Sequence, residues 1–520
     1  MARRHRTQLI VGAACVAALT ACSSAPAPAS LGQNGGGTPG PTQPSATKGS
    51  SAGATTGTSG AAVVPGSTGG TTGRNTGGAS GTSGGTTGGT SGTGSGSSGG
   101  TTGGGSTGTG SSSTTGGSST GGTTTVINTG RFPHSTLFHP DEETIGLTSN
   151  SMTMCAHAAL TYGQAFGTKD TDFNVFWDAL NAEHGGVNGR KVHVTYENDD
   201  YKPTTAVQAA TACKAKGIFM LLGGIGFDQI PAVRNWAETN RMLYVHHTAT
   251  INGTKGQQFS FSELPTVERT GEAFAQLAAA KYKGKRIGII ERDSANWTPG
   301  VEAFRAYAKT HGLNIVADTK VTNNKGSYAD DLLTMQNAKA DVVWGWVNAL
   351  EGTQLIKQAK SAQYNPNWLL FPFNLTSQTL DGDALSPKLD GVAMYPAYSN
   401  QDYTGKFSSY ADDMKEFEAQ YAKYDPGIDL KGIGGDLLFL NWTAQKALYV
   451  QLLQCGRDCT RDRFIDVLHG YTGQTPSHSA CPIDFSGDGH HGSDSLNFME
   501  TYASPSGKVN WRNTALCVRP

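Results

Sequence analysis

The side chains of this chain that could do chemistry are eight cysteines, two pairs of adjacent histidines, aspartates set among glycines, and tryptophans near strand and helix ends. His246-His247 and His490-His491 invite a metal reading, but neighbouring side chains on an extended strand point to opposite faces. No carboxylate or cysteine stands beside them at ligand spacing, so no metal site is expected. Asp484, Asp488 and Asp494 lie among glycines as in a calcium loop, yet the spacing and the missing terminal glutamate make an ordinary loop. The globular region has no G-x-S-x-G elbow, no H-E-x-x-H and no paired-carboxylate motif. These residues point to binding, not catalysis, with no cofactor.

The cysteines sort by position. Arg3, Arg4 and Arg6 precede an apolar stretch, Leu9 to Thr20, that falls well short of the ~20 residues needed to span a bilayer. It reads as a signal peptide, residues 1–21, with Sec export expected and the paired arginines also fitting the twin-arginine route. Leu19-Thr20-Ala21-Cys22 resembles the bacterial lipobox, so Cys22 is expected to carry lipid and anchor the protein to the cell membrane. Cys15 leaves with the signal. Six cysteines remain, an even number in an exported chain, and three disulfides are the default. Six cysteines allow 15 pairings; the preferred set is Cys155–Cys213, Cys455–Cys459 and Cys481–Cys517.

Residues 22–130 are a linker, nearly all Gly, Ser and Thr from Leu31 to about Thr125. It has too little apolar surface to offset the entropy of ordering and is expected to be a flexible tether with a reach of ~55 Å. The remainder, 131–520, is long enough for two lobes with separate cores. Lys+Arg 40 against Asp+Glu 41 leaves no basic field for nucleic acid.

Strands and helices alternate through this region. Thr144 to Thr148 reads as the first strand, and Phe173, Phe176, Trp177 and Leu180 lie on one face of a helix stopped by Gly185 and Gly186. Val192, Val194 and Tyr196 alternate with Lys191, His193 and Thr195 in the next strand, and Ile218 to Leu222 is a continuous apolar strand. Helices over 229–240, 267–282, 299–311, 328–339 and 351–362 then alternate with strands at 242–245, 286–290, 313–317, 341–347, 368–371 and 391–395. The expected fold class is α/β, with two doubly wound parallel-sheet lobes and ligand in the crevice at the strands' carboxyl ends.

At 181–190 the chain reads N-A-E-H-G-G-V-N-G-R, then a strand ending at Glu197-Asn198-Asp199-Asp200 and a helix beginning Thr205-Ala206-Val207. Together with Leu221-Leu222-Gly223-Gly224, Cys455-Gly456, Thr460-Arg461-Asp462, Asp484 to His491 and Gly507-Lys508-Val509, this resembles the type I periplasmic-binding-protein family. Within it, the likeness is to the branched-chain amino-acid (Leu/Ile/Val) substrate-binding proteins of ABC transporters, and it covers about 140 to 520. The resemblance implies two lobes joined by a three-strand hinge, 142–262 with 396–482 and 263–395 with 483–520. It also implies a small-molecule ligand and a permease partner.

Carried over residue by residue, the resemblance places the carboxylate-binding hydroxyl of amino-acid-binding members at Phe227-Asp228-Gln229, where Asp228 would repel a carboxylate or simply cap the following helix. Thr248 and Thr250 keep the family's second hydroxyl loop. On the other lobe Trp297, Trp346 and Asn348 fall where aromatic contacts are supplied, although Trp344 and Trp346 share one strand and one of them is expected in the core. Phe373 stands where the family pairs a glutamate with the ligand ammonium. The α-amino-acid clamp is thus incomplete, and a neutral, aromatic or cationic solute fits better. Capture of a small polar molecule for an ABC importer is the leading expectation; a receptor subunit signalling through a membrane partner is the alternative.

Overall fold

The computed structural model describes residues 134–161, 169, 171–223, 226–247, 251–323, 325–372, 389–394, 410–430, 433–477, 481–486, 489–503 and 509–520. Cys22, Thr248, Thr250 and Phe373 lie outside the described residues, as do the signal and linker segments. No helix among those described is long and apolar enough to cross a membrane.

The first sheet is built on β1, Ser151–Ala158, whose alternation turns Met152, Met154 and Ala156 into one core and Cys155 toward another. It pairs in parallel with β2 (Lys191–Asn198) and β3 (Leu221–Leu222), and β4 (Tyr244–His246) and β5 (Ser260–Ser262) complete the order β2-β1-β3-β4-β5. The strand expected at 144–148 is a series of turns; the Thr148 hydroxyl accepts from the Ser151 amide and reverses the chain into β1. β3 is shorter than the apolar run 218–222, because the carbonyls of Ile218 and Phe219 are taken by the Arg461 guanidinium.

α1 (Val175–Glu183) buries Phe176, Trp177 and Leu180, and the chain leaves it through Gly185 and Gly186 at positive φ. A Cβ at Gly186 would sit 1.9 Å from the Arg190 carbonyl oxygen, so only glycine lets this turn close. α2 (Pro203–Ala215) and α3 (Gln229–Thr239) cover the opposite face of the sheet, and the short α4 (Ile251–Thr254) precedes β5.

The second sheet runs β12-β11-β10-β9-β8-β6-β7. Its parallel part is β6 (Arg286–Arg292), β7 (Asn314–Val321), β8 (Val342–Trp346), β9 (Asn367–Leu370) and β10 (Leu389–Ala393). α5 (Val267–Lys281) and α6 (Thr298–His311) pack on one face, α7 (Ala329–Asn337) and α8 (Ala349–Ser361) on the other. The parallel core matches the expected fold class, and β11 (Leu496–Ala503) and β12 (Val509–Val518) add an antiparallel hairpin at one edge of it. Its connection is too short for the crossover that parallel pairing requires.

Between the two sheets' segments, α9 (Tyr410–Tyr424), α10 (Ile433–Cys455) and α11 (Arg461–His469) return to the first sheet and join its core with Phe417, Leu438, Phe439, Trp442 and Phe464. The chain passes between lobes after β5, after β10 and after α11. Beside β5, the Ser262 amide donates to the His490 carbonyl at 2.8 Å and Gly492 donates to Ser262 at 2.6 Å. Disulfides join Cys155 to Cys213, Cys455 to Cys459 and Cys481 to Cys517.

Candidate functional site

Parallel strands end where their loops converge, and in doubly wound sheets that edge is where ligands sit. In the first lobe the strand ends carry buried polar groups. Asp199, just after β2, accepts a hydrogen bond from His157 Nδ1 at 2.8 Å, and His157 Nε2 lies 2.7 Å from the Tyr244 hydroxyl. Because a carboxylate only accepts, Nδ1 carries the proton and Nε2 takes the tyrosine O–H. All three residues are fully buried, and burial pushes the Tyr244 hydroxyl well above its ordinary range. With both ring nitrogens engaged, His157 holds a hydroxyl in place and is not a free base.

At the ends of β4 and β5, His247 Nδ1 and Glu263 Oε2 are 3.6 Å apart. Burial raises the Glu263 carboxyl to about 8, and burial is the main cause that lowers His247 to about 4. Both are therefore neutral near pH 7. On α3 the Gln229 side chain is fully buried with neither amide atom partnered. Arg234, 5 % exposed, leaves Nε and Nη1 unpartnered, and burial lowers its pKa.

The second lobe meets this edge through the β6–α6 connection. Arg292 pairs with Glu351 at 3.2 Å, both buried. Glu351 is held in turn by Asn348: the Asn348 side chain accepts from the Glu351 amide at 3.1 Å, and Glu351 accepts from the Asn348 amide at 3.0 Å. Below them α5 and α6 cross at Gly271 and Gly300. A Cβ at Gly300 would lie 2.6 Å from Trp346 Cζ2, so the missing side chain lets that indole reach the lobe junction. Trp346 Nε1 donates to the Trp297 carbonyl at 2.9 Å, and the two rings meet edge to face with centroids 5.5 Å apart.

Three of the expected ligand contacts sit at the lobe junction. Trp297 and Trp346 are buried against each other and against Phe227, so protein covers their faces. Trp344 and Trp346 both lie in the core, because residues two apart on β8 share its α5–α6 face. Asp228 occupies the N-cap of α3 but makes no side-chain cap bond. Its carboxylate crosses instead to the second lobe, accepting from Ser294 Oγ at 2.6 Å and Asn296 Nδ2 at 3.1 Å. Asn348 caps α8, and among the expected residues described Gln229 and Trp297 keep unpartnered polar atoms, the side-chain amide and the indole N–H.

Sequence reading missed His157, Tyr244, Glu263 and Arg292. Two of them carried a signal, a polar residue at or next to the carboxyl end of its strand: His157 before the last residue of β1 and Arg292 closing β6. Among the described residues no group of three or more His, Cys, Asp or Glu could hold a metal. His490, at positive φ in a loop and not on an extended strand, stacks on Phe261, while His491 pairs with Asp494.

Residues 173–505, more than half of the chain, match the family described as periplasmic binding protein. The chain belongs to the periplasmic binding protein family. A Leu/Ile/Val-binding protein homolog 3 from Brucella melitensis is 25 % identical over 185 residues, 34 % of this chain and 49 % of that protein. The chain thus spans about half the length of the curated relatives it matches. Among solved structures, a fatty acid ABC transporter substrate-binding protein from Thermomonospora curvata superposes with a TM-score of 0.60 at 15 % identity, over 73 % of this chain and 96 % of that one. A branched chain amino acid ABC transporter protein from Thermus thermophilus with bound valine gives 0.59 at 15 % identity, over 72 % and 98 %. These likenesses carry the type I fold, in the family described as periplasmic binding protein.

Proposed function

We propose that this periplasmic binding protein is an extracytoplasmic, lipid-anchored receptor. It captures a small polar molecule, an amino acid, an amide or a related compound, by closing its lobes, and presents it to an ABC-transporter permease. The observation that carries the reading is the pair of unpartnered polar groups flanking the lobe junction, the Gln229 amide and the Trp297 indole N–H, both buried. A buried polar group without a partner costs ~1–3 kcal/mol, and a solute with complementary donors and acceptors removes that cost. The valine and Leu/Ile/Val named for the relatives support an amino-acid-like solute. Phe373, at the position where the resembled group has a glutamate, argues against a strictly conserved α-amino-acid clamp.

Thermal-shift screening of the full chain against amino acids, amides, polyamines and aromatic acids tests the reading. A solute at 100 times its Kd stabilises by ~2.7 kcal/mol. Stabilisation by one chemical class, with the compound recovered unchanged, is expected; turnover of a hit, or no shift with any class, refutes it. Cys22→Ser is expected to move the protein from the membrane to the soluble fraction.

A further inference from the structure

Buried charge at the strand ends of the first lobe is unevenly compensated, and the imbalance centres on Arg234. α3 runs back from the carboxyl edge of the first sheet, and helical side chains lean toward the helix N-terminus, so the Arg234 stem points to that edge. Its charged neighbours are Tyr244 and Glu238. Tyr244 marks the edge, because its hydroxyl is tied through His157 to Asp199 just past β2. Glu238, one turn beyond Arg234, spends its two carboxylate oxygens on the Gln258 and Phe259 amides, each at 2.9 Å. Other acids of this edge are engaged as well. Asp199 holds His157 and the Tyr201 amide, Asp228 holds Ser294 and Asn296, and Glu263 keeps its proton up to about 8.

Arg234 itself makes no hydrogen bond to the protein, and its Nε and Nη1 are buried. A buried lysine or aspartate can shed its charge, but a guanidinium cannot be deprotonated in a protein. Burying it without a counter-charge is among the costliest arrangements a fold can carry. Gln229, at the start of the same helix, is fully buried and adds a second unpartnered donor, its Nε2. We infer that Arg234 is the counter-charge for the solute, and that the solute class is a small monocarboxylate. The planar N–H groups of a guanidinium match the two oxygens of a carboxylate. With no second cation among its charged neighbours, Arg234 balances one negative charge and leaves a phosphate dianion undercompensated. Asp228, expected from the sequence to repel an anion, is compensated on the other lobe by Ser294 and Asn296, with Arg292 3.8 Å away. The inference deepens the solute-capture reading and rests on it.

The test uses the full chain and probes matched in skeleton: valine, benzoate and hexanoate, each beside its amide, with inorganic phosphate and a polyamine as further arms. Affinities are measured by titration calorimetry. At least one acid is expected to bind, with its amide about tenfold weaker or more and phosphate weaker still. Arg234→Met is expected to weaken that acid about tenfold or more and to leave the affinity of the amide unchanged. Arg234→Lys keeps the charge without the planar fork, and its acid affinity should fall between the two. The unliganded melting temperature of Arg234→Met should not drop, because an apolar side chain of similar length replaces an uncompensated buried charge. That measurement, with far-ultraviolet circular dichroism, separates lost recognition from lost fold. Equal acid affinity with and without Arg234, an amide as tight as its acid, or preference for phosphate or the polyamine overturns this inference and leaves solute capture standing. Binding by none of the probes overturns both.

Discussion

Glu263→Gln offers the sharpest quantitative test of the buried strand-end groups. The carboxyl of Glu263 rises from an ordinary 4.5 to about 8 in the folded protein, because it is wholly buried. Folding therefore takes up a proton: the stability tied to this group is present in full below about pH 4.5 and is lost as pH rises toward 8. His247 works the other way. Its folded value of about 4 lies below the ordinary 6.5, so its contribution is complete above pH 6.5 and is lost as pH falls toward 4. Between 4.5 and 6.5 the two slopes oppose each other; above 6.5 Glu263 acts alone. One pH unit of that slope is about 1.4 kcal/mol, so from pH 6.5 to 8 the group removes about 2 kcal/mol from the unaltered protein. The glutamine variant carries no such titration. Urea unfolding at pH 5.5, 6.5, 7.25 and 8, with disulfides intact, measures both proteins. The expected result is a decline above pH 6.5 that is shallower in the variant by about 2 kcal/mol over the range. Parallel curves for the two proteins would refute the raised carboxyl buried at the end of β5.

Three further outcomes follow from particular contacts. Asn348→Ala removes the reciprocal cap of α8 and should cost about 1 kcal/mol in chemical denaturation, with Arg292 losing its fixed partner Glu351. Replacing both Cys155 and Cys213 by Ala frees a loop with a sequence separation of 58 and should lower stability by about 4 kcal/mol on loop-closure grounds, read from the denaturation midpoint. Thr250→Val should weaken whichever solute scores in the thermal screen and leave the unliganded melting temperature unchanged; equal affinity would remove Thr250 from the site.

Period, punctuation and cysteine number carried the architecture in the linear chain. Alternation over Lys191–Asn198 and the helical spacing of Phe176, Trp177 and Leu180 require little more than local geometry, and so does the Gly185-Gly186 turn. The polar strand ends were harder. His157 finds Asp199 across 42 residues and Tyr244 across 87, pairings that no local pattern encodes. The antiparallel hairpin of β11 and β12 escaped because its strands follow a helical segment and break the β–α alternation that guided the reading.

Residue types and spacing alone determined that this chain folds as alternating strands and helices, and that its six later cysteines can pair. They also showed that residues 131–520 carry no G-x-S-x-G or H-E-x-x-H motif, because each of those properties lives within a few residues of backbone. Only the tertiary structure decided where Phe227, Asp228, Trp297 and Trp346 point. A side chain at a lobe junction turns toward whatever the opposite lobe brings within reach, and here that lobe delivers an aromatic box and two hydrogen-bond donors.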